Sequence, residues 1–248
     1  MSQNRESPLL RSQFFYTDAD TQMEPADVSI KAGVADLKVL YQNGNVTLPV
    51  LLTIQTSTGK HRGVHMSRLV HAASSNGSRS VEKWLKTMCA EVNRTQPGSV
   101  VTCRFEMPYA DQFIPIAVRT TERGATTYRV AVTGMTACPC SKKMIGIGHM
   151  QRAELSLIVK TRRAIELVKT IQKIEECFSA FPTEKMKRVE EARKILEAQD
   201  NPRFAEDLVR ECLKRFPDAI QIQARCFESI HTHDAMATWS RTSDWMGF

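Results

Sequence analysis

Two cysteines separated by a single proline, Cys138 and Cys140, lie at the end of a segment with the composition of a β-strand. In an extended chain, residues two apart point to the same face, so both sulfur atoms could reach one site. Pro139 would end strand pairing there, because proline has no N–H group to donate. Lys142 and Lys143 follow closely and would favour the thiolate form of a cysteine. The segment is therefore either a reactive site or a pair of buried thiols.

Three histidines fall in two short polar segments that adjoin predicted strands: His149 in one, His231 and His233 in the other. Thiolate and imidazole are natural ligands of zinc and iron(II), and a catalytic metal site keeps about three or four protein ligands and one open position for water. Cys138 together with two of these histidines meets that requirement. The spacing from Cys138 to His149 is not that of a zinc finger, so ordinary core or surface histidines remain the alternative.

Residues 62–68 indicate a second kind of chemistry, the binding of an anion. Ser67 could cap the helix that is predicted to begin here, and the N–H groups at a helix N-terminus attract anions. His65 and Arg68 would donate charge-assisted hydrogen bonds to a phosphate group. The alternative interpretation is a capped helix flanked by solvated charges.

The composition limits the class of protein. With 248 residues, 42% of them hydrophobic, the chain can form a packed core and is not disordered as a whole. Its seven cysteines are odd in number and scattered, which does not indicate a disulfide framework. No apolar run approaches the ~18 residues that span a membrane, and the polar N-terminus lacks a signal-peptide core. We therefore expect a cytoplasmic protein with no membrane contact.

The formal net charge of +7 suits an anionic partner, either nucleic acid or a phosphorylated small molecule. Aromatic residues make up only 7% of the chain and are not interleaved with the basic residues. Because single-stranded nucleic acid is bound on aromatic stacking platforms, no nucleic-acid partner is expected.

The elements that must position these residues follow an α+β pattern. Alternating and β-branched segments predict strands, and these are 46–56, 99–107, 114–119, 127–136, 153–160 and 219–227. Helical periodicity predicts helices, and these are 67–92 with an interruption near 74–78, 163–180, 185–197 and 204–216. Ser80 is expected to cap the helix that resumes after the interruption.

The order of strands, paired helices and strands occurs twice along the chain. This order predicts antiparallel sheets with the helices gathered on one face. We divide the chain into a partly ordered arm, two strand–helix–helix–strand units and a tail, with the boundaries 1–30, 31–136, 137–240 and 241–248.

Five segments together resemble the type IB GTP cyclohydrolases and their archaeal-type relatives. They occur in the family's order and are 63–68 (GVHMSR), 138–142 (CPCSK), 148–152 (GHMQR), 201–207 (NPRFAED) and 228–233 (ESIHTH). The resemblance implies the tunnelling fold (T-fold) with two units in one chain, assembled as a homotetramer with sites at subunit interfaces. It also implies a hydrolase that acts on C8 of GTP, releases formate and forms a dihydroneopterin phosphate for pterin- or folate-type cofactor synthesis. The product would be the triphosphate or the 2',3'-cyclic phosphate.

The resemblance further implies roles for individual residues. Cys138, His149 and His231 would be the ligands of one divalent ion, which could be zinc, iron(II) or manganese. Cys140 would lie close to the metal and take part in catalysis. Glu228 would anchor the purine edge, since a carboxylate pairs well with two adjacent donors. The remaining substrate-binding residues, of which the basic ones would hold the triphosphate, are His65, Ser67, Arg68, Lys142, Gln151, Arg152 and His233.

Two departures from the family pattern affect the carboxylates. The spacer between Cys138 and His149 is one residue shorter than in the bacterial enzymes, and residues 178–199 align poorly. In that stretch the family supplies a glutamate metal ligand and a glutamate proton donor. The nearest candidates are Glu184 as the ligand and Glu197 as the proton donor, with Glu176 in reserve. Solvated helical carboxylates are the alternative for each of them.

Two other function classes stay open. A nitrile reductase of the same fold would use a cysteine nucleophile on a deazapurine and would need a nicotinamide but no metal, which the paired histidines argue against. A non-catalytic nucleotide- or RNA-binding protein would explain the basic charge. A metal analysis and a formate assay with GTP would separate these classes from a cyclohydrolase.

Overall fold

The computed structural model describes residues 20–74 and 80–242, which form an eight-stranded antiparallel sheet with helices packed against it. The strands follow one another in chain order across the sheet. They are β1 (Lys31–Asn43), β2 (Val46–Ser57), β3 (Val100–Tyr109), β4 (Gln112–Thr120), β5 (Thr126–Ala137), β6 (Met150–Thr161), β7 (Ala219–Cys226) and β8 (Ala235–Ser240). The helices are α1 (Met66–Ala73), α2 (Val81–Asn93), α3 (Pro139–Ile145), α4 (Leu167–Glu175), α5 (Arg188–Asp200) and α6 (Ala205–Arg215).

The core lies between one face of the sheet and the helices. Buried residues alternate along β2, as expected for a strand with one covered face, whereas β5 is buried or half-buried along its whole length. Helix α2 contributes Trp84, Leu85 and Met88, which recur at helical spacing and are fully buried. Ile171 of α4 and Leu208 of α6 belong to the same hydrophobic cluster. The prediction of an α+β fold with antiparallel strands and helices on one face is confirmed.

All six strands predicted from the sequence are present within a few residues of the expected ends. The structure adds β1 and β8, which are the two outermost strands of the sheet. Strand β1 contains a register shift between Val34 and Leu37, with Asp36 at a positive φ of 54°. This irregularity interrupts the alternation by which a strand is recognised in a sequence.

The helix predictions need three corrections. The helix expected at 163–180 is about half as long, since α4 spans only Leu167–Glu175. Ser67 does not cap α1, because the N-cap residue is His65 and Ser67 is an exposed residue of the first turn. Helix α3, which follows Cys138 directly, was not predicted. The cap predicted at Ser80 is confirmed, since its side chain accepts a hydrogen bond from Lys83 N.

The antiparallel order places the two groups of candidate residues at opposite ends of the strands, which we call the two edges of the sheet. Strand β2 ends where β3 begins, with Gln55 opposite Val100. Strand β5 ends at the other edge, where Ala137 pairs with Met150. The 12 residues of β5 span roughly 35 Å. The segment after β2 and the segments that follow β5 and β7 are therefore far apart within one chain.

All eight strands belong to one continuous sheet, which does not by itself mark a boundary between two units. The division of the chain into two units therefore stays a prediction. Residues 1–19 of the arm, 75–78 of the helix interruption and 243–248 of the tail lie outside the described residues. Within the described part of the chain, none of the helices has the length and apolar character needed to cross a membrane.

Candidate active site

Cys138, His149 and His231 come together in one cavity of about 250 Å³ at the edge of the sheet where β5 and β7 end. We call this cavity the histidine–cysteine cleft. Its other lining residues are Gln151, Arg203, Phe204, Ala205, Glu206, Cys226, Glu228, His233 and Ala235.

The segment 138–149, which contains helix α3, turns back on itself and brings Cys138 and His149 side by side. Cys138 N donates a hydrogen bond of 2.9 Å to His149 O, and Cys138 O accepts one from Lys142 N. Gly146 ends α3 in the left-handed region at φ 80°. Gly148 then passes so close to Cys138 that a Cβ atom on Gly148 would lie 2.6 Å from Cys138 O. Only glycine fits this close approach.

A buried glutamine from α5 holds the same loop from the other side. Gln199, which is 9% exposed, accepts a hydrogen bond from Gly148 N and donates one to Gly148 O, both of 2.8 Å. Lys142 Nζ donates a hydrogen bond to Gln199 O. His149 N donates to Ser141 Oγ at 3.0 Å. The backbone before His149 is thus fixed by hydrogen bonds to a neighbouring helix as well as within its own loop.

The side chain of His149 is oriented by residues of β6 and of the loop after β7. Its Nδ1 lies 2.9 Å from Gln151 Oε1 and 3.9 Å from Glu228 Oε2. Gln151 Nε2 donates to Glu228 Oε1 at 3.5 Å, which leaves Gln151 Oε1 free to accept from the imidazole. A proton on Nδ1 leaves the lone pair on Nε2, the arrangement found in metal-binding histidines.

The two histidines of the loop between β7 and β8 complete this group. The rings of His149 and His231 are 6.5 Å apart, edge to face, and His231 stacks on His233 at 5.1 Å. The prediction that His231 and His233 share a face agrees with this stacking.

Cys140 does not share a face with Cys138. Both were expected on an extended chain, but Pro139 begins helix α3, and residues two apart on a helix point about 200° away from each other. Cys140 is exposed and does not line the cleft. Lys142 is also turned away, towards Gln199 and towards Asp200, whose Oδ1 is 3.8 Å from Lys142 Nζ.

The structure does not bring Glu184, Glu197 or Glu176 to the cleft. Glu184 is exposed in the segment before α5, and Glu197 is exposed and paired with Lys194 at 2.7 Å. Glu176 is 3.2 Å from Arg215 on the surface. These glutamates were only the nearest candidates in a segment that aligns poorly with the family, and a position along the sequence does not determine the side to which a carboxylate points.

The cleft contains Glu206 and Arg203 instead, and sequence reasoning gave neither of them a role. Both belong to residues 201–207, which matched the family. Arg203 N donates to Ala137 O at 3.0 Å, so this segment is attached to the residue immediately before Cys138. That match was the signal that could have identified Glu206 and Arg203.

Cys226 also lines the cleft, but burial raises the pKa of its thiol to about 11. It therefore stays protonated at neutral pH and behaves as a core residue. Arg152 lies on β6 next to Gln151, is exposed and does not line the cleft, because neighbouring residues of a strand face opposite sides.

A second cavity, of about 440 Å³, lies at the opposite edge of the sheet. We call it the basic cleft, and its polar and charged lining includes Lys60, His61, His65, Arg68, Thr95 and Gln96. His65 and Arg68 are therefore brought together as predicted for anion binding, while Ser67 points elsewhere.

The donors of the histidine–cysteine cleft fit a divalent ion by their chemistry, since a thiolate and two imidazoles suit zinc or iron(II). Within residues 20–74 and 80–242, no three histidine, cysteine, aspartate or glutamate side chains converge closely enough to hold an ion as they stand.

Known proteins similar to this chain agree with these features. Residues 20–237 match the family model described as type I GTP cyclohydrolase folE2. A GTP cyclohydrolase FolE2 of Pseudothermotoga lettingae is 32% identical over 197 residues, covering 71% of this chain and 76% of that protein. A GTP cyclohydrolase MptA of Picrophilus torridus is 27% identical over 236 residues, covering 84% and 86% of the two chains.

Among solved structures, the crystal structure of uricase from Arthrobacter globiformis aligns with a TM-score of 0.51 over 91% of this chain and 98% of that chain. At 8% sequence identity the likeness shows the fold alone. It confirms the predicted tunnelling fold.

Proposed function

The chain belongs to the type I GTP cyclohydrolase family, and from that membership we propose that it is a metal-dependent hydrolase that opens the imidazole ring of GTP at C8. The reaction would release formate and form a dihydroneopterin phosphate for pterin synthesis. The observation that carries the proposal is the convergence of Cys138, His149, His231 and Glu228 in one cleft. These residues come from three separate segments of the chain.

Cys138, His149 and His231 would hold one zinc, iron(II) or manganese ion. When bound, such an ion supplies a Lewis acid that makes water nucleophilic near neutral pH. The hydrogen bond from His149 Nδ1 to Gln151 keeps the ring orientation and the free lone pair that a ligand needs.

Two carboxylates of the cleft can act on the purine. Glu228 is largely buried beside His149 and can accept hydrogen bonds from two adjacent N–H donors of guanine. Glu206 lies in the first turn of α6 and faces the same cavity. We assign proton transfer to Glu206 rather than Glu197, because a general acid or base must be within reach of the reacting atoms.

We also propose that the active site is completed by a second copy of the chain. The basic cleft suits the triphosphate, but it lies at the opposite edge of the sheet from the histidine–cysteine cleft. Roughly 35 Å of β5 separates the two edges, a distance that one GTP molecule does not bridge. A homotetramer would let the basic cleft of one subunit face the histidine–cysteine cleft of its neighbour.

The test combines metal content with product analysis. We expect the protein loaded with zinc or iron(II) to release one formate per GTP, and mass spectrometry of the product distinguishes the linear triphosphate from the cyclic phosphate. Cys138→Ala should lose both the metal and formate release. His71→Ala, which removes an exposed histidine of α1, is the matched control and should retain both. Metal-loaded protein that releases no formate from GTP would overturn the proposal.

A further inference from the structure

Gln96 is a buried residue of the basic cleft with one polar atom in use and one unused. It is 7% exposed, and its Oε1 accepts a hydrogen bond of 2.6 Å from His65 N. Because a backbone N–H can only donate, the amide oxygen must be the atom that faces it, and this fixes the orientation of the side chain. Gln96 Nε2 is then a buried donor that meets no acceptor among the described residues.

His65 presents a second buried donor in the same cleft. Its Nε2 lies 3.2 Å from Asp20 Oδ2, an ion-pair contact if the ring is protonated, but it makes no hydrogen bond within the described part of the chain. Native proteins satisfy nearly all of their buried polar groups, so two unused nitrogens in one cavity call for an explanation.

Gln199 shows how a buried glutamine looks when its role is only structural. Both of its amide atoms bind the backbone of Gly148, in the cleft at the other edge of the sheet. Gln96 holds the backbone of His65 in a similar way, but its NH₂ group, buried in the lining of the basic cleft, has no acceptor among the described residues. The difference points to a ligand that carries an acceptor.

The charge of the cleft identifies the acceptor as an anion. Lys60, His61 and Arg68 line the same cavity, and its volume of about 440 Å³ has room for a chain of phosphates. The two side-chain donors, Gln96 Nε2 and His65 Nε2, and several cations lie around one cavity. Such a set suits phosphate oxygens, which accept several hydrogen bonds at once.

We propose that Gln96 is a phosphate-binding residue, whose Nε2 donates, together with His65 Nε2, to one phosphate group of the substrate. The inference rests on the proposed function and deepens it by adding Gln96 to the residues that bind the substrate. The Asp20 carboxylate beside His65 occupies a place that a phosphate oxygen would take, so binding displaces Asp20 from the imidazole.

Equilibrium dialysis of the metal-free protein, which does not consume the nucleotide, with labelled GTP and labelled guanosine tests the inference. Gln96→Glu retains an acceptor for His65 N but removes the donor, and we expect it to weaken GTP binding by about tenfold while guanosine binding stays unchanged. Gln96→Met removes the donor without adding charge and should weaken GTP binding to a similar extent. Thermal unfolding of each variant checks that the fold is retained.

The matched control is Thr87→Glu, which places the same charge on an exposed residue of α2 that does not line the cleft. We expect it to change GTP binding by less than about threefold. The inference is overturned if Gln96→Met binds GTP as tightly as the wild type, if guanosine binding falls with GTP binding, or if Thr87→Glu weakens GTP binding as much as Gln96→Glu does. A wild type that binds GTP but releases no formate when metal-loaded would contradict the proposed function alone, and one that does not bind GTP would contradict both.

Discussion

In the histidine–cysteine cleft both polar atoms of a buried glutamine, Gln199, bind the backbone beside a histidine, whereas in the basic cleft Gln96 binds with one atom only. Gln199 lies near the end of α5 and Gln96 lies in the loop after α2, and each holds a loop that presents a histidine at one edge of the sheet. The first cleft is therefore held in place by its own chain. The second has two nitrogen donors without an acceptor in the described part of the chain, as expected of a cleft that binds another molecule.

The largest difference between the clefts should appear when a histidine is removed from each. Removing a residue that orients a metal ligand costs about 10- to 100-fold in metal affinity or activity, so removing a ligand itself costs more. We expect His231→Ala to lose the metal and to lower formate release by about 1,000-fold. His65→Ala should retain the metal and lose affinity for GTP. Metal analysis and formate assays measure both, and equal metal loss in the two variants would remove the distinction between the clefts.

The glutamines themselves provide the next comparison. Gln199→Ala leaves Gly148 N and Gly148 O without their partners, which should lower the free energy of unfolding by about 3 kcal/mol. Gln96→Ala frees only His65 N and should cost about 1 kcal/mol. Urea denaturation measures both values. Equal destabilisation of the two variants would show that the hydrogen bonds of the Gln199 side chain contribute no more to stability than that of Gln96.

Metal affinity sharpens the same comparison. Gln199 acts on the loop that carries Cys138 and His149, so Gln199→Ala should also weaken zinc binding by about 10- to 100-fold. Gln96→Ala should leave zinc affinity at its wild-type value, because it lies at the opposite edge of the sheet. Competition with a zinc-binding dye measures these affinities, and reduced zinc affinity in Gln96→Ala would contradict the separation of roles.

A smaller effect is expected for the cations of the basic cleft. Arg68 contributes to binding rather than to the chemical step, so Arg68→Ala should raise the KM for GTP by about tenfold with little change in kcat. The increase should shrink at high salt, because exposed charges are screened. Steady-state kinetics at two salt concentrations provide the measurement. A fall in kcat at unchanged KM would place Arg68 in the reaction itself.

The smallest effect concerns a carboxylate behind the histidine–cysteine cleft. Glu211 accepts hydrogen bonds from Lys214 and Arg215, which lower its pKa from 4.5 to about 2, and it also lies 3.8 Å from Arg203 of the cleft. A lowered folded-state pKa contributes stability above pH 4.5, and that stability is lost as the pH falls towards 2.

Glu211→Gln should therefore lower the free energy of unfolding at pH 7 by about 1 kcal/mol, after allowance for solvent screening. The difference from the wild type should narrow as the pH falls below 4.5. Urea denaturation from pH 7 to pH 3 measures it. A difference that stays constant with pH would show that the charge of Glu211 is not the cause.

Six of the eight strands and the grouping of His149 with His231 could be predicted, because alternation along a strand and polar residues at strand ends are local features of a sequence. Cys140 was placed wrongly since Pro139 is equally suited to end a strand and to begin a helix. Glu206 was missed although its segment had been recognised, because the side to which a helical carboxylate points depends on packing. The roles of Gln96 and Gln199 depend on contacts between residues 31 and 51 positions apart, which no local pattern reveals.

The bond between Gly148 N and Gln199 has a consequence for hydrogen exchange. This amide lies outside the strands and helices, yet it is bonded to a buried side chain of α5 and is shielded from solvent exchange as long as α5 stays docked. Its deuterium uptake therefore reports the opening of the helix against the loop, separately from global unfolding. The exchange rate of this one amide would therefore measure how often the loop that carries Cys138 and His149 separates from α5.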